Sequence, residues 1–484
     1  MVRNIAQRRI KWYYIGKENE EKGVRTMKIV IAGDGKVGYT LSEQLSKEGH
    51  DIVVIDSNPQ VLQEVLDTLD VMVVNGNAAS LEAQKKAGVE TSDLVIAATS
   101  SDEINLLCCV LARKLGCKHT ISRVRNPEYI EQVQFLREEF GLSMTINPEL
   151  AAAREIFRLI QFPSFLKRDS FAKGRVELVE LKVGEESALA NKQLDQIHEV
   201  FKTRALVCAV EREEKVYIPN GNFTLRAGDK ITVTAPRSSL AIMLKNLKET
   251  NYKIHSVMMI GGGRIAEYLS EDLIGSGVAV KIVEKDEARC IELAEKLPGA
   301  IIINGDGSKQ ELLIEEGIKS TDAVITLTDF DEENLIISMF ADYIGAPKTI
   351  TKINRTEYSH LFKDRGIGSV VSPKQLTAHE IIRYVRAMGN TSGGAVRTLH
   401  RIVDEKAEAL EFEAVGTTRN LGIPLMKLKL KEDILIACIN RRGKVIIPKG
   451  SDTIEEKDIV VVVTNAERTI YDLNDIFADE TKEA

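Results

Sequence analysis

The chain reads twice. Lys28 to Asp56, "KIVIAGDGKVGYTLSEQLSKEGHDIVVID", is answered by Ser256 to Glu284, "SVMMIGGGRIAEYLSEDLIGSGVAVKIVE". Gly33 and Gly35 meet Gly261 and Gly263 at a spacing of 228. One inserted residue then sets the spacing at 229, where Asn75-Gly76, Gly88, Asp93, Asp102, Glu103 and Tyr129 fall on Asn304-Gly305, Gly317, Asp322, Asp331, Glu332 and Tyr358. The match resumes further on, with "YIPNGNFTLRAGDKITV" from Tyr217 lying over "IIPKGSDTIEEKDIVVV" from Ile446. Repetition of this length means a tandem of two-part units, large, small, large, small. A chain of 484 residues is also too long for one hydrophobic core.

Each large part alternates β-rich apolar runs with amphipathic stretches. In the first copy Ile29–Ala32, Ile52–Ile55, Val71–Val74, Leu94–Ala98 and His119–Val124 read as strands, with helices between them such as Gly38–Glu48 and Glu103–Leu115. That alternation predicts an α/β fold with a doubly wound parallel sheet and right-handed crossovers. Each small part reads as short strands and turns: Val176–Val183, Ala205–Glu211, Lys215–Pro219 and Asp229–Ala235. Helical connectors run from Pro148 to Leu166 and from Pro373 to Met388.

The expected boundaries are a tail over 1–26, large domains over 27–147 and 254–372, and connectors over 148–170 and 373–396. Small α+β domains fill 171–240 and 397–476, and a second tail spans 477–484. The first 26 residues are basic, then acidic, and lack a secretory apolar core. They read as a disordered tail or an extended translation start, with a membrane contact through Arg8, Arg9, Lys11 and Trp12 as the alternative.

The formal charge of −7 argues against bulk binding of nucleic acid. No run approaches the roughly 20 apolar residues that span a bilayer, so a membrane is reached only through a partner. The six cysteines form no CxxC pair and read as reduced, buried apolar residues.

In Gly33-x-Gly35-x-x-Gly38 the glycines follow a strand, open a helix and precede an acid, Asp56, at the end of the next strand. This is the context of a dinucleotide turn. Gly33 permits the tight turn, Gly35 the approach of a pyrophosphate and Gly38 the packing of the helix, whose first N–H groups face the phosphates. Asp56 is placed to accept from ribose hydroxyls and to repel a 2′-phosphate, favouring NAD(H) or an adenine nucleotide. The second copy offers Gly261, Gly263 and Ala266, with Glu284 as its acid.

Lys36 and Arg264 lie inside the turns and are placed to meet a terminal phosphate, or are only solvated helix starts. Thr99 and Thr328 follow the fourth strand, where they touch adenosine or serve the turn alone. Asp102 and Asp331 read as helix-start acids. Arg123 and Lys352 are candidate phosphate cations, while Glu103, Asn105, Glu332 and Asn334 are weaker candidates.

Nothing resembles a catalytic apparatus. The seven histidines do not recur at the repeat spacing, there is no Walker lysine, GxSxG or HExxH motif, and no metal-ligand spacing stands out.

The order of parts, with "GDGKVG", "VVID", "NGNA", "AATSSDEIN" and "RVRNPEY", resembles the tandem regulatory subunits of Trk potassium-uptake systems, built from regulator-of-potassium-conductance (RCK) domains. The resemblance covers Met27 to about Ile476. It implies two Rossmann-like N-lobes, each followed by a C-lobe, in a non-enzymatic protein at the cytoplasmic face of a membrane potassium channel or transporter. It also implies a homo-oligomeric ring and a signal carried by NAD(H) or by ATP and ADP.

It carries pyrophosphate binding onto Gly33, Asp34, Gly35, Lys36, Val37 and Gly38, and onto Gly261, Gly262, Gly263, Arg264, Ile265 and Ala266. Ribose binding falls on Asp56 and Glu284. Asn75-Gly76-Asn77 departs from the family's turn near the adenine. The competing readings are an NAD-dependent oxidoreductase with duplicated Rossmann domains and a nucleotide-sensing module with a soluble partner.

Overall fold

The computed structural model describes residues 26–478 apart from 136, 138, 173, 214, 248–252, 356–367, 390–395, 404–405 and 467–468. The expected tail over 1–26 lies outside them except for its last residue, as does the expected repeat partner Tyr358. The chain forms two compact units, one of residues up to Ala152 with Ser372–Thr391, the other of Ala153–Val371 with Ser392 onward.

The first unit is built on a parallel sheet of order β3-β2-β1-β4-β5-β6: β1 (Lys28–Ala32), β2 (Asp51–Asp56), β3 (Met72–Asn75), β4 (Leu94–Ala97), β5 (His119–Arg123) and β6 (Met144–Ile146). Helices α1 (Lys36–Lys47), α2 (Pro59–Thr68), α3 (Leu81–Lys86), α4 (Asp102–Leu115) and α5 (Pro127–Phe135) connect the strands. The central strands are apolar throughout because both faces are covered: every residue of β4, LVIA, is buried. Local signals set the helix ends. Asn58 caps α2 ahead of Pro59, Ser101 caps α4, and Gly116 closes α4 in the left-handed conformation.

Helix α6 (Pro148–Gln161) leaves this sheet, and from Ala153 on it belongs to the second unit. There a five-stranded antiparallel sheet, order β10-β9-β11-β8-β7, follows: β7 (Lys167–Phe171), β8 (Val176–Lys182), β9 (Leu206–Arg212), β10 (Lys215–Tyr217) and β11 (Lys230–Pro236), with helices α7 (Ile197–Phe201) and α8 (Arg237–Asn246). Strand β7 begins inside the stretch read from sequence as a connector over 148–170 and ends at Phe171, the first residue of the expected small domain. The helix stops at Gln161 because Pro163 cannot continue it, and the polar-looking KRDSF pairs with β8 from Lys167↔Glu180 onward.

The second copy repeats both sheets. Its parallel sheet has the order β14-β13-β12-β15-β16-β17: β12 (Ser256–Ile260), β13 (Ala279–Glu284), β14 (Ala300–Asn304), β15 (Ala323–Thr326), β16 (Lys348–Lys352) and β17 (Ser369–Val371). Its helices are α9 (Arg264–Gly275), α10 (Glu287–Lys296), α11 (Gln310–Glu315) and α12 (Asp331–Tyr343). The last sheet, order β18-β19-β22-β20-β21, holds β18 (Val396–Ile402), β19 (Ala407–Glu413), β20 (Ile434–Arg441), β21 (Lys444–Ile446) and β22 (Ile459–Asn465). The two antiparallel sheets share a core in which Phe171, Val176 and Cys208 pack with Ile402, Ala409 and Cys438.

Helix α13 (Pro373–Gly389), which follows the second parallel sheet in sequence, belongs to the first unit. Its Ala378, Ile381, Ile382 and Val385 share a core with Val37, Leu41 and Leu45 of α1. At the end of that seam Arg386 Nη2 meets Glu48 Oε1 at 2.7 Å with both side chains buried. Tyr384 Oη lies 3.1 Å from His119 Nδ1 at the start of β5. The equivalent residue of the second copy, Lys348, makes a different attachment inside its own unit. Its buried ammonium donates to the carbonyls of Pro163 and Phe165, the chain leading out of α6, at 3.0 and 2.8 Å.

Candidate functional site

Both glycine turns take the conformation their sequences require. Gly33 has φ +93°, and a Cβ there would stand 2.7 Å from the backbone of Thr99, so only glycine lets β1 turn against the end of β4. A Cβ on Gly38 would stand 2.0 Å from the Gly33 carbonyl. A Cβ on Gly35 would meet nothing within 4 Å, and Gly35 is the N-cap of α1 with no side-chain capping bond. The first N–H groups of the helix are thus left for a ligand. Lys36 is exposed beside them, whereas Val37 is buried and can offer only its backbone.

Asp56 ties this loop together. Its Oδ2 accepts from Asp34 N and its Oδ1 from Asn58 N, each at 2.8 Å. Half-buried at the end of β2, it stands at the mouth of the turn. Asp34 itself is buried, with Ser42 Oγ donating to its Oδ1 at 3.2 Å. Its Oδ2 has no hydrogen-bond donor among the described residues.

The second turn keeps the frame and changes the charges. Gly261 has φ +102°, Gly262 N donates to Glu284 Oε2 at 2.7 Å and Asp286 N to Oε1 at 2.9 Å. Gly263 is again an N-cap with no side-chain bond and open space around it. Arg264 is exposed, Ile265 and Ala266 buried. A Cβ on Gly262 would meet Leu293 Cδ1 at 2.5 Å, so the pocket that holds the Asp34 side chain in the first copy does not exist here.

Arg289 fills the neighbourhood instead. Its Nε donates to the Gly262 carbonyl at 2.8 Å and its Nη2 meets Glu267 at 2.6 Å, with Lys296 on the other oxygen of Glu267 at 2.9 Å. These cations hold the Glu267 carboxyl below its ordinary range despite its burial.

The remaining candidates gather at the end of the fourth strand, and an asparagine organises them. Asn105 Oδ1 accepts from Thr99 N at 2.8 Å and from Thr99 Oγ1 at 2.7 Å, while its Nδ2 donates to the carbonyls of Thr99 and Arg123. Arg123 donates back to the Thr99 carbonyl. Asn334 bonds Thr328 N and the carbonyls of Thr328 and Lys352 in the same pattern, and Lys352 Nζ reaches the Leu327 carbonyl at 3.3 Å. Asn105, a weak candidate from sequence, is therefore the residue that fixes Thr99; its recurrence as Asn334 was the available signal.

Asp102 and Asp331 each accept from backbone N–H groups after the fifth strand, Arg125 and Asn126 in one copy and Asn354 and Arg355 in the other. Glu103 accepts from Ser101 Oγ and from Tyr129 Oη at 3.0 Å, an exposed contact at the head of α4. Sequence reasoning did not single out Arg289, Glu267 or the Glu48–Arg386 pair. Of these, only the i, i+3 and i, i+4 charges of α10 carry a local signal.

All six cysteines are free and buried, and burial pushes the Cys108 thiol up to about 12. Among the described residues no group of three or more His, Cys, Asp or Glu side chains is arranged to hold a metal ion. No helix among them is long and apolar enough to cross a membrane.

Comparison with known proteins agrees with this duplicated frame. The TrkA-N domain model matches residues 29–148 and again 257–373, and the TrkA-C domain model matches 178–248. The chain is 34% identical over 448 residues to the Trk system potassium uptake protein TrkA homolog 1 of Methanosarcina mazei, covering 91% of this chain and 98% of that one. Against the Trk system potassium uptake protein TrkA of Haemophilus influenzae it is 32% identical over 455 residues, 93% of this chain and 98% of the relative.

Among solved structures, the RCK domain of GsuK superposes with a TM-score of 0.60 at 17% identity, covering 92% of this chain and 93% of that one. The GsuK channel bound to NAD gives 0.59, with coverage of 92% and 77%. The two parallel sheets, each followed by an antiparallel one, are thus an RCK fold. With family models covering well over half its length and relatives above 30% identity along nearly all of it, the chain belongs to the TrkA family of Trk potassium-uptake proteins.

Proposed function

We propose that this protein is a nucleotide-sensing regulatory subunit, without enzymatic activity of its own, that gates a membrane potassium-uptake channel or transporter from the cytoplasmic face. One observation carries the reading. Helix α1 presents its uncapped N-terminus at the first glycine turn, and its other end is clamped to α13 by Glu48 and Arg386. Helix α13 leads into the second C-lobe. A phosphate drawn onto the head of α1 therefore acts on a rigid rod of about 18 Å whose far end is fixed to a connector.

A nucleotide that binds one arrangement of that connector better than another shifts the population between them, and only this differential affinity does work on the partner. NAD(H) is the proposed signal, with ATP and ADP sharing the same phosphate chemistry; a solved relative of the fold is described as bound to NAD.

In this reading Gly33 to Gly38 and Gly261 to Ala266 hold the pyrophosphates, with Lys36 and Arg264 near the last phosphate. Asp56 and Glu284 take the riboses, Thr99 and Thr328 line the adenosine side, and Arg123 and Lys352 are the cations at that strand edge that reach toward phosphate. The boundaries given from sequence describe the proposed domains, with the first C-lobe extended to include β7. The relatives' shared name, potassium uptake protein, supports the partner class, and an assembly of several chains beneath the membrane protein is proposed with it.

The test is reconstitution. The membrane subunit is placed in liposomes and potassium flux measured with and without this protein, each with NAD⁺, NADH, ATP and ADP. Flux that changes with nucleotide only when this protein is present supports the proposal. Unchanged flux together with absent co-purification sinks it in favour of a soluble partner, and substrate-dependent NADH oxidation in favour of an oxidoreductase.

A further inference from the structure

We infer that nucleotide binding at the first glycine turn is coupled to a proton on Asp34, so that this copy responds to acidity and nucleotide together; the inference rests on the reading of Gly33–Gly38 as a nucleotide site.

Asp34 follows the left-handed Gly33 and is only 5% exposed. Its own N–H donates to Asp56 Oδ2 at 2.8 Å, which brings two carboxyl groups together behind the turn. From β2 the charge that faces it is the Asp56 carboxylate, and α1 turns the neutral Ser42 hydroxyl toward it. Lys36, at the head of the same helix, is exposed, and no cation is among the described groups that act on Asp34. One carboxyl oxygen, Oδ2, is buried with no donor. A carboxyl in such a place is stabilised as the neutral acid, which can donate where the ionised form would stand uncompensated. Burial pushes Asp34 up to about 6; the Ser42 bond offsets part of this and the Asp56 charge adds to it.

An arriving pyrophosphate places further negative charge at the head of α1, beside the same loop. That charge disfavours ionised Asp34 still more, so binding draws in a proton at any pH where the free site has lost it. By linkage the affinity then rises as the pH falls. The second turn has glycine at this position, no space for a side chain, and the Arg289 guanidinium on the Gly262 carbonyl. No proton is taken up there.

The test is calorimetric titration of the full chain with NAD⁺, which has no group of its own that titrates near neutral pH, at about pH 7 in two buffers of different ionisation enthalpy. We expect net uptake of part of a proton per nucleotide, and first-site affinity weakening by ~3- to 10-fold from about pH 6 to pH 8. Both effects should vanish in Asp34→Asn. Ser42→Ala removes the donor that favours the ionised form, and should displace the pH dependence upward.

NAD⁺ binding without proton uptake, or with uptake that persists in Asp34→Asn, overturns the inference and leaves the nucleotide site standing. Failure of the unmodified chain to bind any nucleotide overturns both.

Discussion

The two glycine turns share a backbone frame and the signs of the charges along its rim, and differ in the charges packed behind it. In both, an acid at the end of the second strand accepts from the loop and from the cap of the next helix: Asp56 from Asp34 and Asn58, Glu284 from Gly262 and Asp286. In both, an asparagine locks the threonine after the fourth strand. Yet the first turn is doubly acidic, with Asp34 behind Asp56, while the second sets Arg289 and Lys296 around Glu267. The first two glycines that shape the turn are kept, the third gives way to Ala266, and the charges behind the turn have diverged. Two turns of closely similar backbone geometry thus sit in two different electrostatic surroundings.

The largest effect expected from breaking the comparison lies at the far end of α1. Glu48 has the exposed Ser276 as its counterpart, so only the first copy carries the buried ion pair to α13. Arg386→Met strands a buried carboxylate and should destabilise the first unit by about 3–5 kcal/mol, measured by denaturant unfolding. Ser276→Ala should change stability by less than about 0.5 kcal/mol. If Glu48→Gln with Arg386→Met together cost no less than Arg386→Met alone, the stranded charge is not the cause.

Next comes the third turn position, where the copies already differ. Gly38→Ala drives a methyl against the Gly33 carbonyl and should cost about 1–3 kcal/mol, together with nucleotide binding at the first turn. Ala266→Gly should cost only about 1 kcal/mol of helix propensity and leave binding at the second turn in place. Equal losses of affinity from the two changes would mean that the turns are not the same device.

Smaller effects are expected from the acids. Asp56→Ala and Glu284→Ala each remove a charged acceptor of two backbone bonds, and should weaken nucleotide at their own turn by roughly 10- to 100-fold, read by calorimetry. The loss should be confined to the mutated copy.

The smallest effect is on the pH profile, where the copies carry opposite signs. Asp34 in the folded chain holds its proton to about pH 6 instead of the usual 3.8. Its contribution to stability is therefore present at low pH and lost as the pH rises through 6. Asp34→Asn should raise the unfolding midpoint by a few degrees at about pH 8 and leave it unchanged below about pH 4. Glu267 and Glu292 are held below the ordinary value of 4.5, Glu292 to about 2, by bonds from Arg289 and Lys296. Their contribution is present above that ordinary value and lost as the pH falls toward 2. Arg289→Met should therefore lower the midpoint at neutral pH and have little effect in strong acid. Parallel profiles for the two variants would erase the distinction between the turns.

Much of this was legible in the chain because the signals were local or repeated. The glycine spacing, the acid at the next strand end and the unbroken apolar strands specify the parallel sheets, and the 228–229 spacing specifies that there are two. What escaped was non-local. Strand β7 is short and charged, and becomes a strand only by pairing with β8. Glu48 and Arg386 lie 338 residues apart, and nothing in either helix announces the partner. Asp34 stands in the sequence only among the pyrophosphate-binding residues that the resemblance implies; its burial is not written in the turn itself, and at the matching Gly262 Leu293 occupies the space a Cβ would need.

The helix that covers the first sheet's α1 is supplied by the second half of the sequence, and Lys348 of the second half grips the chain leaving α6 of the first. A gene severed between the repeats would encode two products, the upstream one with the oily flank of α1 bare and the downstream one with a helix lacking its bed. Neither is an independent heirloom of the ancestral duplication. Each is an incomplete garment cut to the other's measure, because residues 372–391 complete the first unit.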